Sequence, residues 1–497
     1  MKSTEKINRN QFMMTSLDDM ITPDSNVRVI DAYVQSLDVE TLGYRVYTNK
    51  VGRPAYNPKD LIGLYLYSYM SKVMSSRMME HQTYVNLEVM WLLNGAHPDH
   101  STIAAFRSKN SAALTNTFHD FTKNCVELGL VGGNVVSVDG TKLHANNNKK
   151  RNFSVKSLTK KIAHIDEQVS EYLSTLDKND GINTDIQQLE SRKNSYQDML
   201  EHLNNSNETQ ISKTDPDSRL MDNKKGGLDV AYNIQATVDE KNALVIDQYI
   251  TNAPTDQGEL SNATERAQKI LSNEALTILA DKGYYNGEDL EKCFAMGVKP
   301  VVSRQNPPKR TGMYSIDDFI YDKENDTFTC PQNKVLSKIS GENAIKTVYA
   351  NKSSCKNCPY KEKCFKQDKR RNYRRISKDK YFKSMYKADC IFSENKELYH
   401  RRQELSEHVF GSIKRQLGFP QLNVRTKQKV AGEVSLLFLG YNLKRVMNII
   451  GNTELIRYFK ERTNSKLNQF IRFILKSDYR QICQLRYISL CLNYSTV

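Results

Sequence analysis

Residues 275–286 read ALTILADKGYYN. The first six, Ala275 to Ala280, form a short apolar run that suits a strand buried on both faces. The run stops on a carboxylate, Asp281, with Gly283 and two tyrosines behind it. A polar residue at a strand end is ordinary by itself. The same arrangement occurs upstream, in VGGNVVSVDGTKLHANNNKK (residues 131–150). There Val135, Val136 and Val138 make a β-branched run that Asp139 closes before Gly140. Two strands that each end on an aspartate ask where a third carboxylate lies.

Working outward, the segment LDVAYNIQATVDEKNALVIDQYIT holds two strand-like runs around the turn DEKN, a hairpin signal. A helix in TDQGELSNATERAQKIL leads into ALTILAD, then the helix GEDLEKCFAMG, then the strand VKPVVS. The order is strand, insertion, strand, strand, helix, strand, helix, strand. A hairpin followed by β-α-β predicts an α/β fold with a mixed sheet and helices on its faces.

The insertion after the first strand changes period. Leu158, Ile162, Ile165, Val169, Tyr172 and Leu176 step by four and three, DKNDG breaks the seam, and Ile182 to Leu203 resume it. This predicts an antiparallel helical hairpin that pairs within the chain. Residues 1–130 read as helical. NPKDLIGLYLYSYM has a plausible helix entry at Asn57-Pro58, and Ser101 is a candidate N-cap for a short helix carrying Arg107 and Lys109. That module fits a helix-turn-helix DNA reader or plain helical packing.

A second insertion, 307–395, contains Cys330, Cys355, Cys358 and Cys364. From Lys361 to Lys383 it carries eleven Lys/Arg against three Asp/Glu, with aromatic residues interleaved. Arg370, Arg371, Arg374 and Arg375 are its candidate phosphate contacts. The four cysteines either supply thiolates to a structural Zn²⁺ or remain free thiols, and redox chemistry is a further option. Helices return after 396, and a basic tail runs from 456 to 497.

The third carboxylate is sought on the helix KELYHRRQELSEHVFGSIKRQLGF. His400 and Lys414 lie seven residues either side of Glu407 and share its face, while Leu405, Val409 and Ile413 lie opposite and can pack on the sheet. Glu404, Glu397 and Glu433 are rivals that spacing does not exclude. Three carboxylates brought together repel one another unless a cation sits among them, and Mg²⁺ or Mn²⁺ prefers such oxygen ligands. Such ions serve phosphodiester chemistry.

The bulk properties agree. The chain has 497 residues and net charge +15, from 72 Lys/Arg against 57 Asp/Glu, which points to a polyanionic partner, nucleic acid before anionic membrane. No secretory signal, membrane-length apolar run, phosphate-binding loop or H-E-x-x-H is present in the sequence, and nine cysteines are too few for a disulfide scaffold. A cytoplasmic setting is expected.

VVSVDGTKLHAN, ADKGYYNGEDL and EHVFGSIKRQLGF resemble the three motif blocks of bacterial insertion-sequence DDE transposases, in particular the insertion sequence eleven-eighty-two-like group. SKTDPDSRLMDNKKGGLDVAYNIQATVD, CPQNKVLS with CKNCPYKEKC, and the N-terminal NPKDLIGLYLYSYM through STIAAFRSKN are similar to that group as well. The resemblance spans about residues 5 to 450, in order.

The resemblance implies a ribonuclease H-like mixed sheet with helices on both faces, an N-terminal all-helical domain and the two insertions. The expected divisions are 1–130 (N-terminal helical, DNA-binding), 131–150, 220–306 and 396–455 (catalytic core), 151–219 (helical hairpin), 307–395 (basic, Cys-containing) and 456–497 (tail). Asp139, Asp281 and Glu407 are the implied catalytic residues and Mg²⁺ or Mn²⁺ ligands, acting on terminal inverted repeats and target DNA within a homo-oligomer, expected to be a dimer. Related transposases place a tyrosine, an arginine, the glutamate and a lysine at fixed helical steps. Lys414 fits as a DNA contact. Arg402 is a further candidate DNA contact, but Tyr399 and Arg402 sit one residue too far from Glu407, so on an undistorted helix Arg402 is expected to point about 100° away, with Gln403 in the expected place. A nuclease of the same fold without strand transfer, and a non-catalytic DNA-binding protein derived from a transposase, are the alternatives.

Overall fold

The computed structural model describes residues 10, 14–45, 55–175, 183–206, 208–222, 227–305, 312–343, 346–364, 372–416, 418 and 421–465. Six helices come first: α1 (Asn26–Ser36), α2 (Pro58–Met70), α3 (Ser76–Val85), α4 (Leu87–Leu92), α5 (His100–Lys109) and α6 (Ser111–Glu127). Asn57 opens α2 by accepting the Lys59 amide, with Pro58 in the first turn where an N–H is not needed. Asp99, not Ser101, caps α5, because its carboxylate accepts the amides of both Ser101 and Thr102.

The strand β1 (Val135–His144) follows. The short pair β2 (Asn152–Ser154) and β3 (Gln210–Ser212) forms the base of the hairpin α7 (Val155–Thr175) and α8 (Asn183–Asn205). Phe153, Leu158 and Leu203 are the buried residues of its small core, and Lys193 is ion-paired to Asp166 across the two helices at 2.5 Å. Leu176 and Ile182 of the predicted seam lie outside the described residues.

Next come β4 (Arg219–Asp222), β5 (Leu228–Asp239), β6 (Val245–Thr251), α9 (Glu259–Leu271), β7 (Thr277–Ala280), α10 (Gly287–Ala295) and β8 (Lys299–Val302). They build a mixed sheet in the order β4–β5–β1–β7–β8, with β6 also on β5. Strand β5 is antiparallel to β1, whereas β1, β7 and β8 are parallel. Ile278, Leu279 and Ala280 are all fully buried, which accounts for the unbroken apolar run of β7. Side chains of Val136, Val138, Ile278 and Ala280 pack with α9 and α10 on one face.

A second antiparallel sheet holds β9 (Ile320–Asp322), β10 (Thr327–Thr329), β11 (Val335–Asn343), β12 (Lys346–Ala350) and β13 (Ile376–Asp379), in the order β13–β12–β11–β10–β9. Two short helices, α11 (Lys352–Lys356) and α12 (Lys361–Cys364), lie between its last two strands. Phe319, Phe328, Leu336, Tyr349 and Ile376 form its separate core.

The chain then continues through α13 (Phe382–Glu394), α14 (Lys396–Gly411) and α15 (Lys427–Ile450), with 452–465 also helical. Helix α15 is buried along most of its length and packs against α2, α5, α6 and β6. A Cβ on Gly432 would come within 2.7 Å of the Ser111 carbonyl oxygen, so only glycine lets α15 approach α6 this closely. One hydrophobic cluster joins α1–α6, the second face of the mixed sheet, α14 and α15. The N-terminal helices therefore share their core with the last third of the chain.

Candidate active site

Val138 of β1 lies opposite Ala280 of β7 in parallel register, so Asp139 and Asp281, one residue on, reach the same rim of the sheet. The Gly140 amide donates to Asp139 Oδ1 at 2.8 Å, and Arg402 of α14 approaches Oδ2 at 3.9 Å. Burial pushes the Asp139 carboxyl up. A hydrogen bond from Ser406, the Arg402 charge and the Gly140 amide oppose that rise, while the charge of Asp281 adds to it. Asp281 caps a 3-10 turn, Lys282–Tyr284, and accepts the Lys282 amide at 2.6 Å.

Helix α14 lies across this rim. Leu405, Ser406 and Val409 are its buried residues, followed by Ile413 in a π-helical turn, Ser412–Gln416. Leu405 and Val409 thus fix the rotation of the helix, as the apolar spacing predicts. The same rotation carries Ser406 and Arg402, one turn apart, toward Asp139. Arg402 also lies over the Tyr399 ring at 5.5 Å, and burial raises the Tyr399 hydroxyl pKa, with Arg402 opposing and Asp281 adding. The expectation that Arg402 points away and Gln403 replaces it is corrected: Gln403 is exposed and donates to Glu407 Oε1 at 2.9 Å.

Glu407 stands next to Ser406 in sequence, about 100° further round the helix, and is exposed. The structure therefore brings Asp139 and Asp281 together and leaves the Glu407 carboxylate on the outer side of α14. Among the described residues, no group of three or more His, Cys, Asp or Glu is arranged to hold a metal ion. Of the rival acids, Glu404 and Glu397 are exposed, and Glu433 is fully buried, where it accepts the Asn423 amide at 2.9 Å.

Two stretches of the chain match known families. Residues 329–447 match the family described as Transposase DDE domain, and residues 15–109 match Transposase domain (DUF772). Both matches are to transposase domains, one of them the DDE domain. The first match contains Glu407, Arg402 and the four cysteines of the second insertion, and Asp139 and Asp281 lie between the two matches. No curated protein matches. A solved piggyBac transposase synaptic complex with hairpin DNA aligns with 90% of this chain and 80% of its own at 8% identity, with a TM-score of 0.29, a level at which neither fold nor function transfers.

The basic residues of the chain divide by environment. Lys414 sits in the π-helical turn, which displaces it from the regular seven-residue step, and its ammonium donates to the Lys142 carbonyl at 3.3 Å. Arg107 is corrected as a DNA contact: it is only 5% exposed and pairs with Glu433 at 2.8 Å. Its helix turns it inward against Tyr65 and Tyr69, where a phosphate has no access. Lys109, two residues on, is exposed beside Arg45 and Tyr56 in an open cleft. Arg374 is likewise corrected, since it donates to the Cys364 carbonyl at 2.7 Å and packs over Phe319. Arg375 is exposed, stacked on Tyr373 at 4.9 Å. Arg370 and Arg371 lie outside the described residues.

Cys330, Cys355, Cys358 and Cys364 come from three separate segments of the chain and line one small cavity with Tyr314, Phe319 and Arg374. All four are free thiols. Burial pushes Cys364 up to about 11, Arg374 opposes, and the other three sulfurs add to the rise. The Lys334 amide donates to the Cys330 sulfur at 3.4 Å. Among the described residues no helix is long and apolar enough to cross a membrane.

Sequence reasoning missed Ser406. Its signal was available: it stands four residues after Arg402, between Leu405 and Glu407, on the buried side that Leu405 and Val409 define.

Proposed function

We propose that this transposase moves its own insertion element within a bacterial cytoplasm: it binds the terminal inverted repeats, cleaves strands at the element ends, and joins the freed 3′ hydroxyl to target DNA, working as a homo-oligomer. The observation that carries this reading is the placement of Asp139 and Asp281 on neighbouring strands beneath α14, each one residue past the last parallel pair of β1 and β7, although β1 itself continues to His144. The order β6–β5–β1–β7–β8, with β5 antiparallel and β7 and β8 parallel to β1, supports a ribonuclease H-like core around them.

The two rim carboxylates, Asp139 and Asp281, suit a hard divalent cation and would hold Mg²⁺ or Mn²⁺. Glu407, exposed one residue from the Asp139 contact Ser406, would complete the set only by turning toward the rim. Such ions activate an attacking oxygen and stabilise the leaving oxygen of a phosphodiester. Ser406 and the Gly140 amide orient Asp139. Arg402 offers a buried Nε–H without a hydrogen-bond partner, a donor that a phosphate oxygen would satisfy. Lys414 lies where it would follow the DNA backbone, and Lys109 and Arg375 are exposed for the same purpose.

The four cysteines line one cavity but are not drawn into a formed metal group, so they would have to close together to hold a structural Zn²⁺, which would staple a sheet with five buried hydrophobic core residues among the described ones.

Purified full-length protein with element-end DNA and Mg²⁺ tests the main reading. Cleaved ends together with joined target products are expected. Cleavage without joining would favour a nuclease, and metal-independent binding without cleavage would favour a non-catalytic DNA-binding protein.

A further inference from the structure

The two aspartates stand on glycine-bearing backbone: Gly140 follows Asp139 directly, and Gly283 lies two residues after Asp281. Beneath both glycines is a carboxylate that no motif singled out. Asp256 lies between β6 and α9, and its Oδ1 would be 2.5 Å from a Cβ on Gly140, while its Oδ2 would be 3.7 Å from one on Gly283. Because strand side chains alternate, Gly140 faces the side of the sheet opposite to Asp139. Asp256 therefore supports the rim from below.

That carboxylate is held by buried groups. Asn233 donates to Asp256 Oδ1 at 2.8 Å and Gln235 donates to the same oxygen at 2.7 Å. Both are side chains of β5, and Gln235 stands directly opposite Gly140 in the β1–β5 ladder. The Gln235 carbonyl in turn accepts the hydroxyl of Tyr284, which is fully buried in the turn that Asp281 caps. One continuous set of hydrogen bonds thus runs from Asp256 through Gln235 to the turn carrying Asp281, passing under the backbone that carries Asp139.

We infer that Asp256 is a positioning residue: through Gln235, Asn233 and Tyr284 it fixes the spacing of the Asp139 and Asp281 carboxylates, and so the affinity of the rim for a divalent cation. The inference rests on the metal-binding reading of those two aspartates. It also explains Gly140, since any side chain there would displace Asp256 and Gln235 together. A buried polar network of this kind is rigid only when every member is satisfied.

The test is Mn²⁺ binding to full-length protein, followed by electron paramagnetic resonance, alongside thermal unfolding and end-DNA binding. Asp256→Asn preserves the shape but places an amide against two amide donors. It is expected to weaken Mn²⁺ binding about tenfold or more, as loss of an outer partner of a metal site does. DNA affinity should stay within about twofold. Tyr284→Phe removes only the hydroxyl link and is expected to weaken Mn²⁺ in the same direction while folding normally, so it stands in should Asp256→Asn fail to fold. Wild-type Mn²⁺ affinity in either folded variant overturns the inference. Asp139→Asn separates the two levels. If it loses the ion while Asp256→Asn keeps it, only the positioning role falls; if it binds Mn²⁺ as wild type does, the metal site is misassigned and both fall.

Discussion

Asparagine and glutamine keep nearly the size of the acids they replace but remove the charge a cation needs. Asp139→Asn, Asp281→Asn and Glu407→Gln are each expected to leave folding and end-DNA binding intact while lowering Mg²⁺-dependent cleavage about a hundredfold or more. Glu404→Gln, one turn from Glu407 and exposed, should retain most activity. Cleavage that survives Glu407→Gln but not Glu404→Gln would mean that α14 is read in the wrong register. Arg402→Ala should reduce cleavage more than Gln403→Ala, because Arg402 faces Asp139 and Gln403 faces solvent; equal effects would count against the inward Arg402. Asp281 was legible in the sequence because a strand that ends on a carboxylate shows itself in one dimension; Asp139 does not close its strand as expected, since β1 runs on to His144 along β5 after β7 stops pairing with it. The inward turn of Arg402 was not. It follows from how Leu405 and Val409 seat the helix on the sheet, and motif spacing alone gave the wrong side.

Two inserted elements carry their own small cores, and each predicts separable behaviour. The α7–α8 hairpin buries Phe153, Leu158 and Leu203 within itself. Replacing it with a short Gly/Ser linker should leave the unfolding midpoint of the remaining protein within a few degrees; collapse of the whole fold would sink its assignment as an arm. In the second insertion, neutralising Arg370, Arg371 and Arg375 should weaken DNA binding similarly for all sequences and flatten its salt dependence. Arg374→Ala should instead loosen the cavity under Phe319. Metal analysis of reduced protein should find about one Zn per chain if the cysteines coordinate it. The heptad period made the hairpin readable from sequence. The five-stranded sheet was not readable, because its strands are short and interrupted by charged turns, so basic composition hid the apolar alternation.

At the scale of the molecule, the decisive contact is Arg107 with Glu433, a fully buried ion pair that ties α5 to α15. Tyr69 and the Asn423 amide complete its hydrogen bonds. Arg107→Ala would leave Glu433 as an unpaired buried charge. It is expected to destabilise the protein by about 3–5 kcal/mol and to leave the salt dependence of DNA binding unchanged. Denaturant unfolding and a salt titration check the two halves of that statement. A basic residue on a short helix near Lys109 looked like a DNA contact because sequence shows charge but not direction. Its partner lies in a segment that no local pattern connects to it.

That pairing also sets a schedule for the newborn chain. Tyr69 and Glu433 are 364 residues apart, yet they share one buried hydrogen-bonded cluster. At translation rates of about 5–20 residues per second, the first helices wait roughly 20–70 s before α15 emerges to cover them. During that interval Leu61, Leu64, Tyr65 and Phe118 have no finished core to enter, and a ribosome that stops early releases a fragment with a sticky surface instead of a working half.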